Sequence, residues 1–193
     1  MGRRVHRVPY QLQPESIDDL PRKEIVAILR GADDLIMRAG RRMLAKVLKG
    51  SRDKRVVELK LDQSPVYGYY RVLSENQILA RIDWVIAKGY LDIEYDYRLP
   101  MLVYTPRGWV IEKETYAREL LQRLDALCAQ EPPYAVEGLR DKNREVIWRL
   151  LDLIEASGDT KYVPVLRAWQ DVDYRKVRAR IHGVIQSLTS TPT

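Results

Sequence analysis

The sequence predicts a mainly α-helical protein with one small β-hairpin near its middle. Over most of the 193 residues, apolar side chains recur at the spacing of helices, and glycines and prolines divide this pattern into separate segments. After one of these segments the pattern changes to alternation of apolar and polar residues over 91–96, which is typical of a strand. The chain therefore combines a helical framework with a short β element.

The composition is that of an ordinary globular protein, with 46% hydrophobic and 31% charged residues. No stretch approaches the roughly 18 consecutive apolar residues of a membrane-spanning helix, so we expect no membrane partner and a cytoplasmic location. The single cysteine, Cys128, excludes an intrachain disulfide framework and a cysteine-based zinc cluster. His6 and His182 lack the partner pattern of metal ligands, so we expect no metal and no other cofactor.

The net charge of +6 is concentrated in the first part of the chain. Residues 1–110 carry 20 basic against 14 acidic side chains, whereas residues 111–193 carry 13 of each. Nine basic residues fall between positions 38 and 60: Arg38, Arg41, Arg42, Lys46, Lys49, Arg52, Lys54, Arg55 and Lys60. Such a cluster is typical of a protein that binds a phosphate backbone, although a solvated helix face explains it equally well.

The predicted elements begin after a basic arm at residues 1–21, which contains three arginines and three prolines and shows no sustained period. We expect this arm to be extended or mobile. Helices are predicted over 22–37, 41–49 and 54–61; glycines separate the first two, and Gly50 ends the second.

The clearest local signal is a helix over 74–88, which begins with a capping box at Ser74 and Gln77. Strands follow at 91–96 and 99–105, joined by a tight turn at the next two residues. This order of helix, glycine, strand, turn and strand is that of a winged helix-turn-helix. A helical hairpin followed by an unrelated β-hairpin fits the periodicity as well.

The last part of the chain is predicted to be helical throughout. A break at Glu131-Pro132-Pro133 places a domain boundary there, giving domains at 22–130 and 131–193. The helices are expected at 111–129, 138–156, 162–169 and 174–188. The segment 158–178 resembles one HEAT-type repeat, and a small helical bundle packed on the winged helix fits the same pattern.

Four motifs in the middle of the chain, taken in order, resemble the RQC domain, the winged-helix module that lies C-terminal to the motor of RecQ helicases. Residues 43–51 resemble its helix ending in Arg/Lys-Gly-Ser. The other motifs are 66–71, with a Tyr-Gly step before a basic residue, 82–91, and 102–108. The resemblance covers residues 22–112 and favours a free-standing relative of the kind called RQC-minor.

The resemblance implies roles for particular residues. Lys49 and Ser51 would contact phosphate at the end of a helix, and Arg71 would do so before the next one. Tyr97 and Arg98 would form the wing tip that separates base pairs at a duplex end. The complete set of expected DNA contacts is Arg41, Arg42, Lys46, Lys49, Ser51, Arg52, Lys54, Arg71, Ser74, Asn76, Tyr97 and Arg98.

Elementary physics supports part of this set. The N-terminal amides of the helix that Ser74 and Asn76 open favour an anion, and an aromatic ring beside a guanidinium can stack on an exposed base pair. The predicted wing is acidic on one face, however, which would repel phosphates. The helix over 74–88 offers few outward side chains that could read bases, namely Asn76, Arg81 and Lys88.

The sequence therefore predicts a non-catalytic DNA-binding protein that recognises duplex ends, forks or other structured DNA. It contains no GxxxxGK[ST] phosphate loop, so it is not a helicase motor. One alternative is a winged-helix transcription regulator that reads a groove. Another is an adaptor whose C-terminal helices hold helicase or repair proteins.

Overall fold

The computed structural model describes residues 7–14 and 17–190, which fall into two compact units, 1–112 and 113–193. The domain boundary predicted at Glu131-Pro132-Pro133 stays a prediction. In the first unit, the helices and strands are α1 (Arg22–Ala32), α2 (Arg41–Lys49), α3 (Lys54–Glu58), α4 (Glu75–Ala87), β1 (Leu91–Asp96) and β2 (Leu99–Tyr104). The mainly helical fold with a small antiparallel hairpin is confirmed.

Helices α1, α2 and α4 surround a core of fully buried aliphatic side chains. Ile28, Leu44, Leu48, Ile78 and Ile82 are all inaccessible to solvent. Leu44 and Leu48 are four residues apart, as are Ile78 and Ile82, which places each pair on one face of its helix. Truncating any of them to alanine typically costs about 2–5 kcal/mol of stability.

The predicted helix 22–37 is too long, because α1 ends at Ala32 and a single 3₁₀ turn, Asp33–Leu35, follows. The backbone then runs beside β2, where the Met37 N–H donates to the Leu102 carbonyl and the Leu102 N–H donates to Ala39. If the helix continued, these backbone groups would form hydrogen bonds within the helix instead of with β2. Long-range pairing with the hairpin therefore ends the helix early.

The hairpin pairs Asp96 with Leu99, so its turn consists of Tyr97 and Arg98 as predicted. Tyr97 adopts a left-handed backbone conformation with φ of 51°, the geometry that tight two-residue hairpin turns require. Gly40 lies against the second strand of this hairpin: a Cβ there would stand 2.7 Å from the Pro100 carbonyl oxygen. Only glycine allows this close approach.

Helix α5 (Pro106–Cys128) begins five residues before the predicted position. The Thr105 hydroxyl accepts a hydrogen bond from the Gly108 N–H, and Pro106 occupies the first helical position. Threonine before a helix and proline at its first residue are ordinary start signals, so the sequence contained the information. A Cβ on Gly108 would lie 1.9 Å from the Tyr90 carbonyl oxygen, so only glycine fits.

The second unit is helical, as predicted. Beyond α5 it contains α6 (Arg144–Ser157), α7 (Val163–Val172) and α8 (Arg175–Thr189), and α8 packs against both α6 and α7. Cys128 is half-buried, and burial raises the pKa of its thiol. Among the described residues, no helix is both long and apolar enough to cross a bilayer.

Candidate nucleic-acid interface

The C-terminal end of α2 is built as a tight turn. Gly50 adopts φ of 76°, and its N–H and that of Ser51 donate to carbonyls in the last turn of the helix. This arrangement satisfies backbone acceptors that a helix end otherwise exposes. It fixes the direction in which the chain leaves α2 at Lys49-Gly50-Ser51.

The loop before α4 is fastened to this turn by backbone hydrogen bonds. The Gly68 N–H donates to the Val47 carbonyl at 3.0 Å, and the Tyr70 N–H donates to the Leu48 carbonyl at 2.8 Å. Gly68 lies so close to Gly50 that a Cβ on Gly50 would stand 3.0 Å from the Cα of Gly68. The two glycines thus bring two segments of the chain, distant in sequence, into one surface.

Lys49 ties this loop in place. Its ammonium donates to the Arg71 carbonyl at 2.7 Å and to the Leu73 carbonyl at 2.6 Å. Both acceptors are neutral, so the positive charge of Lys49 is held at a fixed position without being cancelled by a carboxylate. The ammonium keeps one proton to donate to an anion.

Arg71 and Ser51 lie on the two sides of the glycine contact. The guanidinium of Arg71 folds back over Gly68, reaching within 3.0 Å of the position that a Cβ would take there. Within the described ranges, Arg71 makes no ion pair. The Ser51 hydroxyl accepts the Asp53 N–H at 3.2 Å, which leaves its own proton to donate. The Lys49 ammonium, the Ser51 hydroxyl and the Arg71 guanidinium therefore each keep a proton that can be donated.

Several of the expected contact residues have partners within the protein. The pairs are Arg41 with Asp83, Lys46 with Asp53 at 2.7 Å, and Lys54 with Glu58 at 3.6 Å. Hydrogen bonds from Lys46 and from the Arg55 backbone hold the pKa of Asp53 below its usual value. By contrast, Arg42 and Arg52 are exposed and make no ion pair with any described residue.

Ser74 forms the predicted capping box with Gln77: its hydroxyl accepts the Gln77 N–H at 3.3 Å, and its own N–H donates to the Gln77 side chain at 2.9 Å. The hydroxyl therefore serves the helix start. Asn76, in the first turn, is exposed.

The outward face of α4 is covered beyond this first turn, and no residue from Ile78 to Ile86 is exposed. Arg81, expected to point outward, instead donates to the Glu24 carboxylate at 3.2 Å and to the Gln77 carbonyl at 3.0 Å. Asp83 is buried, although its position in the sequence gives no sign of it. Between its first turn and Ala87, this helix therefore presents no exposed side chain to solvent.

The described part of the N-terminal arm, which was expected to be extended or mobile, forms no helix and is hydrogen-bonded to this face. The Gln13 N–H donates to the Asp83 carboxylate at 2.8 Å, and the Arg41 guanidinium donates to the Gln11 carbonyl at 2.7 Å. At the wing, the Val8 N–H donates to the carbonyl of Arg98 at 2.9 Å. Arg3 and Arg4 lie outside the described residues.

The wing tip projects into solvent. Tyr97 is 71% exposed, and Arg98 beside it is exposed as well. The strand that leads to this turn shows Asp92, Glu94 and Asp96 to solvent, as the alternation predicted. The tip is therefore aromatic and basic, while one flank of the wing is acidic.

Comparison with known families identifies the domain that these helices and the hairpin form. The family model of the RQC domain matches residues 20–123, which is more than half of the chain and includes α1 to β2. The chain belongs to the RQC domain family. Neither a curated protein nor a solved structure matches it.

Membership makes the first part of the chain a DNA-binding winged-helix domain. In this RQC domain, the glycine contact between residues 50 and 68 gathers Lys49, Ser51 and Arg71, which the resemblance singled out. Three basic residues of the 38–60 cluster, Arg38, Arg55 and Lys60, are not in the expected contact set. No local signal in the sequence distinguishes them from their neighbours.

Proposed function

We propose that the protein is a non-catalytic binder of structured DNA, which it recognises at duplex ends or forks through the phosphate backbone. The observation that carries this proposal is the covered face of α4. A winged-helix regulator reads bases with side chains along that helix. Here the helix exposes only its first turn and its last residue, Ala87, which Lys88 follows as an exposed cap.

The backbone grip is assigned to the surface around the glycine contact. Ser51 and Arg71 supply donors there, Lys49 adds a fixed charge, and Arg42 and Arg52 extend the positive surface. Lysine and arginine contacts to phosphate fix the position of a protein on a duplex without reading its sequence.

The wing tip is assigned to the duplex end. The exposed ring of Tyr97 can stack on a terminal base pair, and Arg98 can contact the adjoining phosphate. The acidic flank formed by Asp92, Glu94 and Asp96 repels phosphate, so an end-on approach of the tip is favoured over a lateral one.

The test is fluorescence anisotropy with a labelled forked duplex and with blunt duplexes of two unrelated sequences. We expect equal affinity for the two blunt sequences and a steep loss with salt. For three or four phosphate contacts, the Kd rises roughly 40- to 150-fold between about 50 and about 200 mM salt. Arg71→Ala should weaken binding to every duplex and reduce the salt slope by about one.

Arg167→Ala is the matched control, because Arg167 is an exposed arginine in the second unit. It should leave the Kd unchanged. Binding restricted to one sequence, or an affinity that does not depend on salt, would show that the proposal is wrong.

A further inference from the structure

A groove of about 570 Å³ lies beside the wing within the first unit. Its walls are residues 8–10 of the arm, the first half of α2 and the strand β2. This volume falls within the roughly 300–1,000 Å³ of ordinary ligand sites. It is separate from the glycine contact at which the phosphate grip is proposed.

The groove is strongly basic. Arg38, Arg42 and Arg55 line it and make no ion pair with any residue in the described ranges; Arg38 donates only to the Asp34 carbonyl. The other two basic residues of the lining, Arg41 and Lys46, are neutralised by buried or half-buried carboxylates. Glu75 is the acidic residue of the lining. Three uncompensated cations facing one carboxylate attract an anion into the groove.

The floor between these cations is apolar. Met43, Pro100 and Met101 contribute to it, and the partly exposed ring of Tyr10 stands at its side. A phosphate alone gains nothing from such a floor. A chain that alternates phosphates with flat rings matches both the charged rim and the apolar base, because ring stacking and phosphate contacts combine in single-strand sites.

The groove opens at the wing tip. Leu99, which lines it, directly follows the turn, and Val8 on the opposite wall is hydrogen-bonded to Arg98. Along α2, Arg42, Lys46 and Lys49 are spaced by four and three residues, so they share the helix face that leads from the groove to the phosphate grip. A strand that leaves a duplex at Tyr97 would therefore start beside the groove lining.

We propose that this groove holds the unpaired single-stranded tail of a DNA end or fork. The inference rests on the proposed function and adds to it a second, single-strand site. An acidic peptide would satisfy the charge, but the position of the groove at the wing tip favours the strand released there.

The test compares a blunt duplex with tailed forms of the same duplex. Each tailed form carries one single-stranded tail of eight thymidines, on one end or on the other. The full chain should bind a tailed duplex at least about fivefold more tightly, the gain expected from one stacked base. The double variant Arg38→Ala/Arg55→Ala should lose this gain and keep its Kd for the blunt duplex. Arg71→Ala should weaken binding to both duplexes by the same factor.

Photocrosslinking from 5-iodouracil in the tail gives a measurement that does not depend on these variants. We expect crosslinks to residues 8–10 or 38–46 of the wild-type protein. The inference is overturned if blunt and tailed duplexes bind equally, if the double variant keeps the gain, or if the crosslinks lie elsewhere. A glutamate-rich peptide that binds in a manner sensitive to the double variant, with no effect of the tail, would identify a peptide site instead. Failure to bind any duplex would contradict the proposed function itself.

Discussion

Asp83 in the middle of α4 has a side chain only 2% exposed, and its carboxylate is bonded to the guanidinium of Arg41 at the start of α2. This pair joins α4 to α2, the helix whose C-terminal end belongs to the proposed phosphate grip. The Oδ2 atom of Asp83, which accepts from Arg41, also accepts the Gln13 N–H of the arm. One buried anion thus holds three parts of the chain together.

Arg41→Ala should therefore be strongly destabilising, because it leaves Asp83 charged and buried with one remaining donor. We expect the free energy of unfolding to fall by about 3–5 kcal/mol, measured by urea denaturation. Arg42→Ala, the neighbouring exposed residue, should change it by less than about 0.5 kcal/mol. Equal stability of the two variants would contradict this role of the pair.

Lys49 should act on the loop before α4 rather than on binding alone. Lys49→Met keeps the aliphatic stem but removes two hydrogen bonds to carbonyls, each worth about 1.5–3 kcal/mol for a charged donor. We expect amide exchange at Gly68 and Tyr70 to accelerate about tenfold or more. The control is Arg52→Met, at an exposed residue near the same turn, which should leave both exchange rates unchanged. If the two variants have similar exchange rates, Lys49 does not hold the loop before α4 in place.

Tyr97 should matter for opening a duplex end and little for holding it. Tyr97→Gly removes the ring and also relieves the positive φ, so the fold is retained. We expect the variant to bind a blunt duplex only about fivefold more weakly, the loss of one stacked base. It should lose the fluorescence rise of 2-aminopurine in the terminal base pair that reports unstacking. Tyr97→Phe should keep that rise, and an unchanged signal in Tyr97→Gly would rule out stacking at the tip.

Gly108→Ala should disrupt the junction between the hairpin and α5. The added methyl would overlap the Tyr90 carbonyl, so the start of α5 must move, and overpacking of this kind costs about 1–3 kcal/mol. Gly183→Ala is the control: nothing lies within 4 Å of its added Cβ in α8, and alanine favours the helix by about 1 kcal/mol. Thermal unfolding should shift down for the first variant and up for the second.

Tyr162 makes the second unit sensitive to alkali. Burial and the hydrogen bond that it donates to Asp125 raise its pKa from 10.0 to about 12. The unfolded chain loses this proton near pH 10, so the stabilisation is complete below pH 10 and is lost as pH rises towards 12. Tyrosinate absorbance of the wild type minus Tyr162→Phe should show a midpoint near 12, and near 10 in urea. A midpoint near 10 in the folded protein would contradict this.

The sequence predicted those features that depend on neighbouring residues. The capping box at Ser74, the αL end of α2 at Gly50 and the turn at Tyr97 all use local backbone chemistry. The Thr105-Pro106 start of α5 was equally local and was missed. The end of α1 could not be predicted, because it depends on hydrogen bonds to Leu102, some 65 residues away.

The candidate site was predictable only in outline. The basic cluster predicts a positively charged surface, but charge patterning cannot show which cations have partners. Asp83 and Asp53 neutralise Arg41 and Lys46 because the tertiary fold brings them together. The covered face of α4 depends on the arm, whose sequence contains no periodic signal for where it docks.

The docked arm also has a mechanical consequence. Its hydrogen bonds run from Arg98 at the wing tip to Asp83 on α4, so it braces the hairpin against the helical core. A force on Tyr97 directed along the strands would act in shear on these hydrogen bonds. It would act in the same way on the backbone hydrogen bonds between β1 and β2. A two-stranded ribbon alone would bend under that load, whereas the braced wing transmits it to the body of the domain.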